Sequence, residues 1–165
     1  MTPWRLCLCV LAFALSLEGQ ASEAWKGWVS WVMDGDTVLL VRDGLPDPVK
    51  LRIDGIDAPE TCQPGGPEAR DAMIRLALRK SVQVLDHGHD VYGRQIGRLL
   101  MDDVDLGAEM VRSGMAWAYR FRTGKGPYAG LQRQAQKQKI GLFAAPEAAM
   151  SPPVFRKFHG TCHGD

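Results

Sequence analysis

The pattern of apolar and polar residues in the first half of the chain predicts β-strands. Three short segments rich in Val, Leu, Ile and Trp are separated by turn residues, a pattern typical of strands joined in hairpins. Asp-Gly pairs lie in both connections, and they favour tight turns because glycine accepts positive φ angles. The predicted strand segments are residues 28–33, 37–42 and 49–53.

The second half of the chain alternates between helical and strand patterns. After a Pro-Gly-Gly loop, Pro67 and Glu68 open a segment whose apolar residues recur at helical spacing. Two more strands follow, around residues 82–84 and 96–101, with a polar loop over 86–94 between them. Two later apolar faces predict short helices that end near Gly114 and Gly141.

This order of elements predicts the fold class. Five strands with a helix inserted after the third match a small Greek-key β-barrel, and about three helices make the class α+β. Residues 22–150 are predicted to form this single domain, since about 140 residues suffice for one core. Residues 151–165 begin with Ser-Pro-Pro and are interpreted as a C-terminal tail that runs over the surface.

The first 21 residues differ from the rest and are predicted to be a cleaved signal peptide. Arg5 supplies a positive start, residues 6–17 form an almost unbroken apolar run, and small residues stand near Ala21. A membrane anchor is the alternative, but the apolar run is shorter than the roughly 20 residues that span a bilayer. We therefore expect an exported protein, periplasmic or secreted, with no membrane contact after cleavage.

The overall charge indicates no partner. The formal net charge is +1, so any recognition of phosphate must come from locally placed arginines rather than from a global field. The sequence shows no coiled-coil heptads, and a monomer is the default expectation.

Two cysteines remain in the predicted mature chain, Cys62 and Cys162. Export would allow a disulfide between them to persist, although spacing alone does not establish the required distance. A metal site built from Cys162 with His159 and His163 is the alternative, but a second ligand pair at regular spacing is missing.

Acidic residues and one arginine cluster at two predicted strand ends. Asp34-Gly35-Asp36-Thr37 alone is typical of a polar turn. The segment from Arg52 to Glu60 adds Asp57 and an Ala58-Pro59 pair, in which proline keeps Ala58 extended and fixes the direction of its carbonyl. Carboxylates, a carbonyl and water would make an oxygen-only site, which suits Ca²⁺ better than zinc or copper.

A third cluster contains Tyr92, Gly93 and Arg94. By itself it is typical of a surface loop. Together with Arg52, however, Arg94 would offer a second planar guanidinium for phosphate oxygens.

The ordered motifs Asp-Gly-Asp-Thr, Arg-x4-Asp-Ala-Pro-Glu and Tyr-Gly-Arg make the chain similar to the thermonuclease, or micrococcal nuclease-like, family over about residues 28–144. The resemblance implies an OB-fold barrel, hydrolysis of DNA or RNA, and products that end in 3′-phosphate. It also implies roles for individual residues. The implied Ca²⁺ ligands are Asp36, Asp57 and the Ala58 backbone carbonyl; the implied phosphate ligands are Arg52 and Arg94; the implied general base is Glu60; and the implied nucleotide contacts are Tyr92 and Tyr119.

Two other functions would use the same fold. OB-folds also bind single-stranded nucleic acid without cutting it, but a binding-only descendant should have lost one or more of the acids and arginines. A domain that uses calcium only for stability would leave both arginines unexplained. The sequence therefore favours a calcium-dependent nuclease.

Overall fold

The computed structural model describes residues 23–119, 126–145 and 150–162. The predicted signal peptide over residues 1–21 lies outside these ranges. In the described part of the chain, every helix is too short or too polar to cross a membrane. The strands are Ala24–Val32 (β1), Thr37–Arg42 (β2), Pro48–Ile53 (β3), Ile56–Asp57 (β4), Ser81–His89 (β5), Gln95–Met101 (β6), Val104–Asp105 (β7) and Trp117–Ala118 (β8). The helices are Gly66–Ala77 (α1), Leu106–Arg112 (α2), Ala129–Gln138 (α3) and Pro152–His159 (α4), with a 3-10 turn at Gly141–Phe143.

Five long strands close into a barrel. The sheet order is β3-β2-β1-β5-β6-β7, with antiparallel neighbours throughout, and a parallel pairing of β3 with β6 joins the two sides. That pairing sets Leu51 opposite Gln95 and Ile53 opposite Gly97. The predicted α+β class and five-stranded OB-fold Greek-key barrel are confirmed.

The core lies inside the barrel and beneath α1 and α2. Alternate residues of β1 point inward, so Trp25 and Val29 are buried while Lys26 and Trp28 are exposed. A register shift between Val29 and Trp31 then brings Val32 to the buried side. Met73 of α1 is fully buried against the same core. Burying a side chain of this size contributes about 1.5–3 kcal/mol, which explains why the inward face carries aliphatic residues.

Two strands are longer than the sequence pattern predicts. The first starts at Ala24 rather than at residue 28, because residues 24–27 pair with residues 82–85 in the first half of β5. Strand β5 continues to His89 across an irregularity in its pairing with β6, so the connecting loop covers 90–94 rather than 86–94. The apolar pattern does not predict the added end of β5, because its residues 87–89 are polar or glycine and face solvent.

The predicted C-terminal tail contains an element that the sequence analysis missed. Residues Pro152–His159 form helix α4, and Phe155 is buried beneath it. A Pro-Pro pair is typical of a loop, yet proline also fits the first turn of a helix because the amide that it lacks would have no partner there. The segment is therefore a packed helix.

A small two-stranded sheet and α3 support β4. Strand β4 pairs with β8, which sets Asp57 opposite Trp117. The amide of Ala118 donates to the side-chain oxygen of Gln132 at 2.7 Å, and Gln132 is almost fully buried on α3. Helix α3 thus holds β8, which in turn pairs with the strand that carries Asp57.

We predict that Tyr128→Phe destabilises the protein. The Tyr128 hydroxyl donates to Asp105 at 2.7 Å, and the same carboxylate binds Arg98 and caps α2. A buried hydrogen bond to a charged acceptor contributes about 1.5–3 kcal/mol, so urea denaturation should show a loss of about that size in the free energy of unfolding. The control is Tyr92→Phe, whose side chain is 81% exposed. Equal stability of the two variants would contradict the prediction.

Candidate functional site

One cleft of about 810 Å³ collects the predicted site residues at one end of the barrel. All eight residues predicted as metal, phosphate, base or nucleotide contacts line it, although they come from four separate parts of the chain. They are Asp36, Arg52, Asp57, Ala58, Glu60, Tyr92, Arg94 and Tyr119. Their positions are compatible with one site, and their individual roles stay predictions.

Asp36 is fixed by the turn between β1 and β2. One carboxylate oxygen accepts the amide of Ala58 at 2.6 Å, and the other accepts the hydroxyl of Thr37 at 3.0 Å. The carbonyl of Asp36 accepts the amide of Ile53 at 2.8 Å. These bonds connect the turn to β3 and to the segment after β4, so Asp36 is held beside Asp57.

Gly35 serves this turn differently from the sequence prediction. Its φ angle is not among the positive ones, so the Asp-Gly pair is not needed here for backbone freedom. A Cβ atom at Gly35 would instead lie 2.7 Å from the Cβ of Ala58 and 2.9 Å from the Cβ of Ala69. Glycine is needed because the turn packs directly against the Ala58 segment and α1.

Arg52 bridges the two acids that were predicted as metal ligands. One terminal guanidinium nitrogen lies 3.1 Å from Asp36 and 3.2 Å from Asp57. The other terminal nitrogen donates to the carbonyl of Ile53 at 2.9 Å. One oxygen of each carboxylate therefore converges on the same positively charged nitrogen.

Asp34 is a cleft residue that the sequence analysis interpreted only as part of a turn. Its side chain accepts the amide of Asp36 at 2.9 Å and is 8% exposed. Burial, and next the nearby charge of Asp36, raise the pKa of Asp34 to about 7. Burial also raises the pKa of Asp57, opposed by its bonds to arginine. The cleft therefore favours added positive charge.

Arg156 is the second cleft residue that sequence analysis missed. Its guanidinium binds both carboxylate oxygens of Asp57, at 3.2 and 3.0 Å, and one oxygen of Glu60 at 2.9 Å. Burial would lower the pKa of Arg156, but the bonds to Asp57 and Glu60 outweigh it and raise the pKa above its usual value. The side chain is therefore a permanent cation in the cleft.

Arg94 lies on the other side of the cleft. The parallel pairing of β3 with β6 brings its loop next to Arg52, because Arg52 is opposite Ile96. Asp90 holds Arg94 through Nε at 2.7 Å, and the guanidinium lies 5.6 Å from the centre of the Tyr92 ring. Arg52 on β3 and Arg94 just before β6 thus both line the cleft.

Two connections tie the C-terminal segment to the loop after Glu60. Cys62 and Cys162 form a disulfide across 100 residues. The buried amide of Gln63 donates to the carbonyl of Met150 at 2.6 Å. The alternative zinc site at Cys162 does not fit, because its sulfur is in the disulfide; His163, the third ligand considered for it, lies outside the described residues.

The donor set suits a hard cation with few protein side-chain ligands. Among the described residues, no three His, Cys, Asp or Glu side chains are arranged to hold a metal ion. Asp36 and Asp57 would therefore supply two carboxylates, with a backbone carbonyl and water completing the shell. Calcium accepts such an all-oxygen and partly hydrated environment.

The closed five-stranded barrel, with buried carboxylates and arginines in one cleft, places the chain in the OB-fold class of proteins. A family model described as staphylococcal nuclease homologue matches residues 50–145. The chain belongs to the staphylococcal nuclease family, and it is a nuclease of that family.

Individual relatives agree with this assignment. Protein ParB of Escherichia coli is 35% identical over 151 residues, covering 83% of this chain and 84% of that protein. The micrococcal nuclease of Shigella flexneri is 34% identical over 149 residues, with the same coverage of 83% and 84%. A probable staphylococcal-like nuclease, CAN1, of Oryza sativa is 36% identical over 96 residues, which cover 58% of this chain and 29% of that protein.

We predict opposite effects on stability for two glycine substitutions. Gly35→Ala should lower the free energy of unfolding by about 1–3 kcal/mol, because its methyl group would overlap Ala58 and Ala69. At Gly130, on α3, an added methyl group would contact only the end of the Arg133 side chain, at 3.8 Å. Gly130→Ala should therefore raise the free energy of unfolding by about 0.5–1 kcal/mol. Chemical denaturation measures both. A neutral Gly35→Ala would show that the turn is not tightly packed.

Proposed function

We propose that this nuclease is calcium-dependent and hydrolyses phosphodiester bonds of DNA or RNA, leaving 3′-phosphate ends. The observation that carries the proposal is the bridge from one Arg52 nitrogen to Asp36 and Asp57, beside Glu60 in the same cleft. This contact links the two acids proposed to bind the cation with the arginine proposed to bind the phosphate. The closed barrel and the relatives named as nucleases support it.

The metal ligands in this proposal are Asp36, Asp57 and the Ala58 carbonyl. All three are hard oxygen donors, and both side chains are nearly fully buried. A bound calcium ion would stabilise the negative charge that builds on the phosphate oxygens. Proline at position 59 supports this assignment because it restricts the backbone of Ala58.

The arginines bind the phosphate group in this proposal. Within the Arg94 guanidinium, the described hydrogen bond to Asp90 uses Nε, so the two terminal nitrogens can donate to phosphate oxygens. Arg52 lines the same cleft, with its side chain 16% exposed. Paired guanidinium donors match the geometry of phosphate and orient the bond that breaks.

Glu60 is the proposed general base. Its carboxylate takes a proton from the attacking water as the water oxygen bonds to phosphorus. The bond from phosphorus to the 5′-oxygen then breaks, and that oxygen leaves as a hydroxyl after taking a proton from solvent water. The phosphate stays on the 3′-oxygen, which gives the proposed products.

Two exposed tyrosines would contact the nucleotide. The side chains of Tyr92 and Tyr119 are 81% and 48% exposed at the edge of the cleft. Large aromatic rings in such positions stack on bases, at about 1–3 kcal/mol for each base. Stacking of this kind tolerates any base and suits a nuclease without sequence preference.

We predict cleavage only when calcium is present. The protein without residues 1–21 should cut single-stranded DNA, duplex DNA or RNA in calcium and lose this activity in a chelator. Glu60→Gln should lower turnover by about 10²–10⁴-fold, because it removes the base without changing the size of the side chain. End-labelling before and after phosphatase treatment identifies the 3′-phosphate.

The matched control is Glu68→Gln, which changes an exposed acid in the first turn of α1. It should cut at the rate of the unaltered protein. If no substrate is cut in calcium, the enzymatic proposal fails. Binding of single strands without cutting would instead support the non-catalytic OB-fold module.

We also propose that the protein is exported to the periplasm or the medium and acts as a monomer. The apolar run over residues 6–17 supports export. The disulfide between Cys62 and Cys162 supports it independently, since such bonds persist in oxidising compartments.

We predict that expression of the full chain in a Gram-negative host yields a periplasmic or secreted protein that begins near Ser22. Fractionation and mass measurement of the intact protein test this. Leu11→Arg places a charge in the apolar run and should leave the full-length chain in the cytoplasm. Equal export of both chains would contradict the predicted signal peptide.

A further inference from the structure

Helix α4 is fixed at both ends to the loop that follows Glu60. On one side Gln63 binds the carbonyl of Met150, and on the other Cys62 is bonded to Cys162. Between these two connections, Phe155 is buried beneath the helix. These attachments of α4, together with the contacts of its own guanidinium, hold the next residue, Arg156, at the cleft.

The guanidinium of Arg156 links the two acids with different proposed roles. It binds both oxygens of Asp57 and one oxygen of Glu60. Within the described residues, Arg156 is the only group bonded to the Glu60 carboxylate. The direction of that carboxylate relative to Asp57 therefore depends on Arg156.

We propose that Arg156 is a positioning residue of the nuclease site, which holds the Glu60 carboxylate in register with Asp57 and competes with the metal ion for Asp57. This inference rests on the proposed function. It assigns a role in the reaction to a residue outside the matched family region, which ends at residue 145.

Two opposite effects follow from this geometry. Calcium that binds Asp57 must displace or share the bonds of Arg156, and it also meets a fixed positive charge nearby, so Arg156 weakens metal binding. Turnover instead benefits from Arg156, because a base held in one direction spends more time in reach of the attacking water. Removing the side chain should therefore strengthen metal binding and slow the reaction.

The test compares Arg156→Ala, Arg156→Lys and the control Lys157→Ala with the unaltered protein. Lys157 is the next residue of α4, and its side chain lies over Phe158 rather than in the cleft. Titration calorimetry with CaCl₂ alone gives metal affinity without substrate, and steady-state cleavage in saturating calcium gives kcat and KM. Thermal unfolding establishes that each variant is folded.

For Arg156→Ala we expect calcium to bind about tenfold more tightly. We expect kcat to fall by about 10²-fold, as a base misplaced by about an ångström would cause, with little change in KM. Arg156→Lys should recover part of kcat, since an ammonium group reaches one acid but lacks the planar fork. Lys157→Ala should match the unaltered protein in all measurements.

A double Cys62→Ser, Cys162→Ser variant provides a second route to the same result. It leaves Arg156 in place but releases one end of α4, so metal affinity should rise and kcat should fall by smaller factors than in Arg156→Ala. If Arg156→Ala does not fold, this variant and Arg156→Lys carry the test.

The other outcomes overturn the inference in distinct ways. If Arg156→Ala raises both metal affinity and kcat, Arg156 inhibits the site rather than positioning Glu60. A fall in both would give it only a structural role, and no change would place it outside the site. If the unaltered protein neither binds calcium nor cuts nucleic acid, the proposed function itself fails.

Discussion

Burial of negative charge is the constraint on which this structure depends. The carboxylates of Asp34, Asp36 and Asp57 are less than a tenth exposed and lie together at one end of the barrel. Removing an ionised carboxylate from water costs several kcal/mol unless a cation compensates. Arg52 and Arg156 supply that compensation within the protein. The raised pKa values of Asp34 and Asp57 show that it is incomplete, which is why a further cation suits the cleft.

Much of the site could be predicted because its residues lie at strand ends. The direction of β3 and the turn before β2 determine where Asp36, Arg52 and Asp57 meet, and both features are encoded within a few residues of each group. Arg156 could not be predicted in this way. It meets Asp57 and Glu60 across 99 and 96 residues, and the contact requires the position of α4 as well as its sequence.

The fold was similarly predictable where local signals agree with packing. Alternating apolar residues identified the barrel strands, whereas the exposed end of β5 was missed because cross-strand pairing, rather than burial, maintains it. Helix α4 was missed because its two prolines are equally typical of loops and of a first helical turn. The sequence identifies Gly35 as a turn residue. Why glycine is required there, namely close packing against Ala58 and Ala69, is visible only in three dimensions.

The candidate cleft includes residues on both sides of the region that the family model matches. The family match covers residues 50–145. Asp36 precedes that region on the turn between β1 and β2, and Arg156 follows it on α4, yet both bond to residues inside it. A fragment cut to the matched region would lose two barrel strands and leave Asp57 without two of its charged neighbours. The charged contacts of the candidate cleft therefore extend beyond the matched region at both ends.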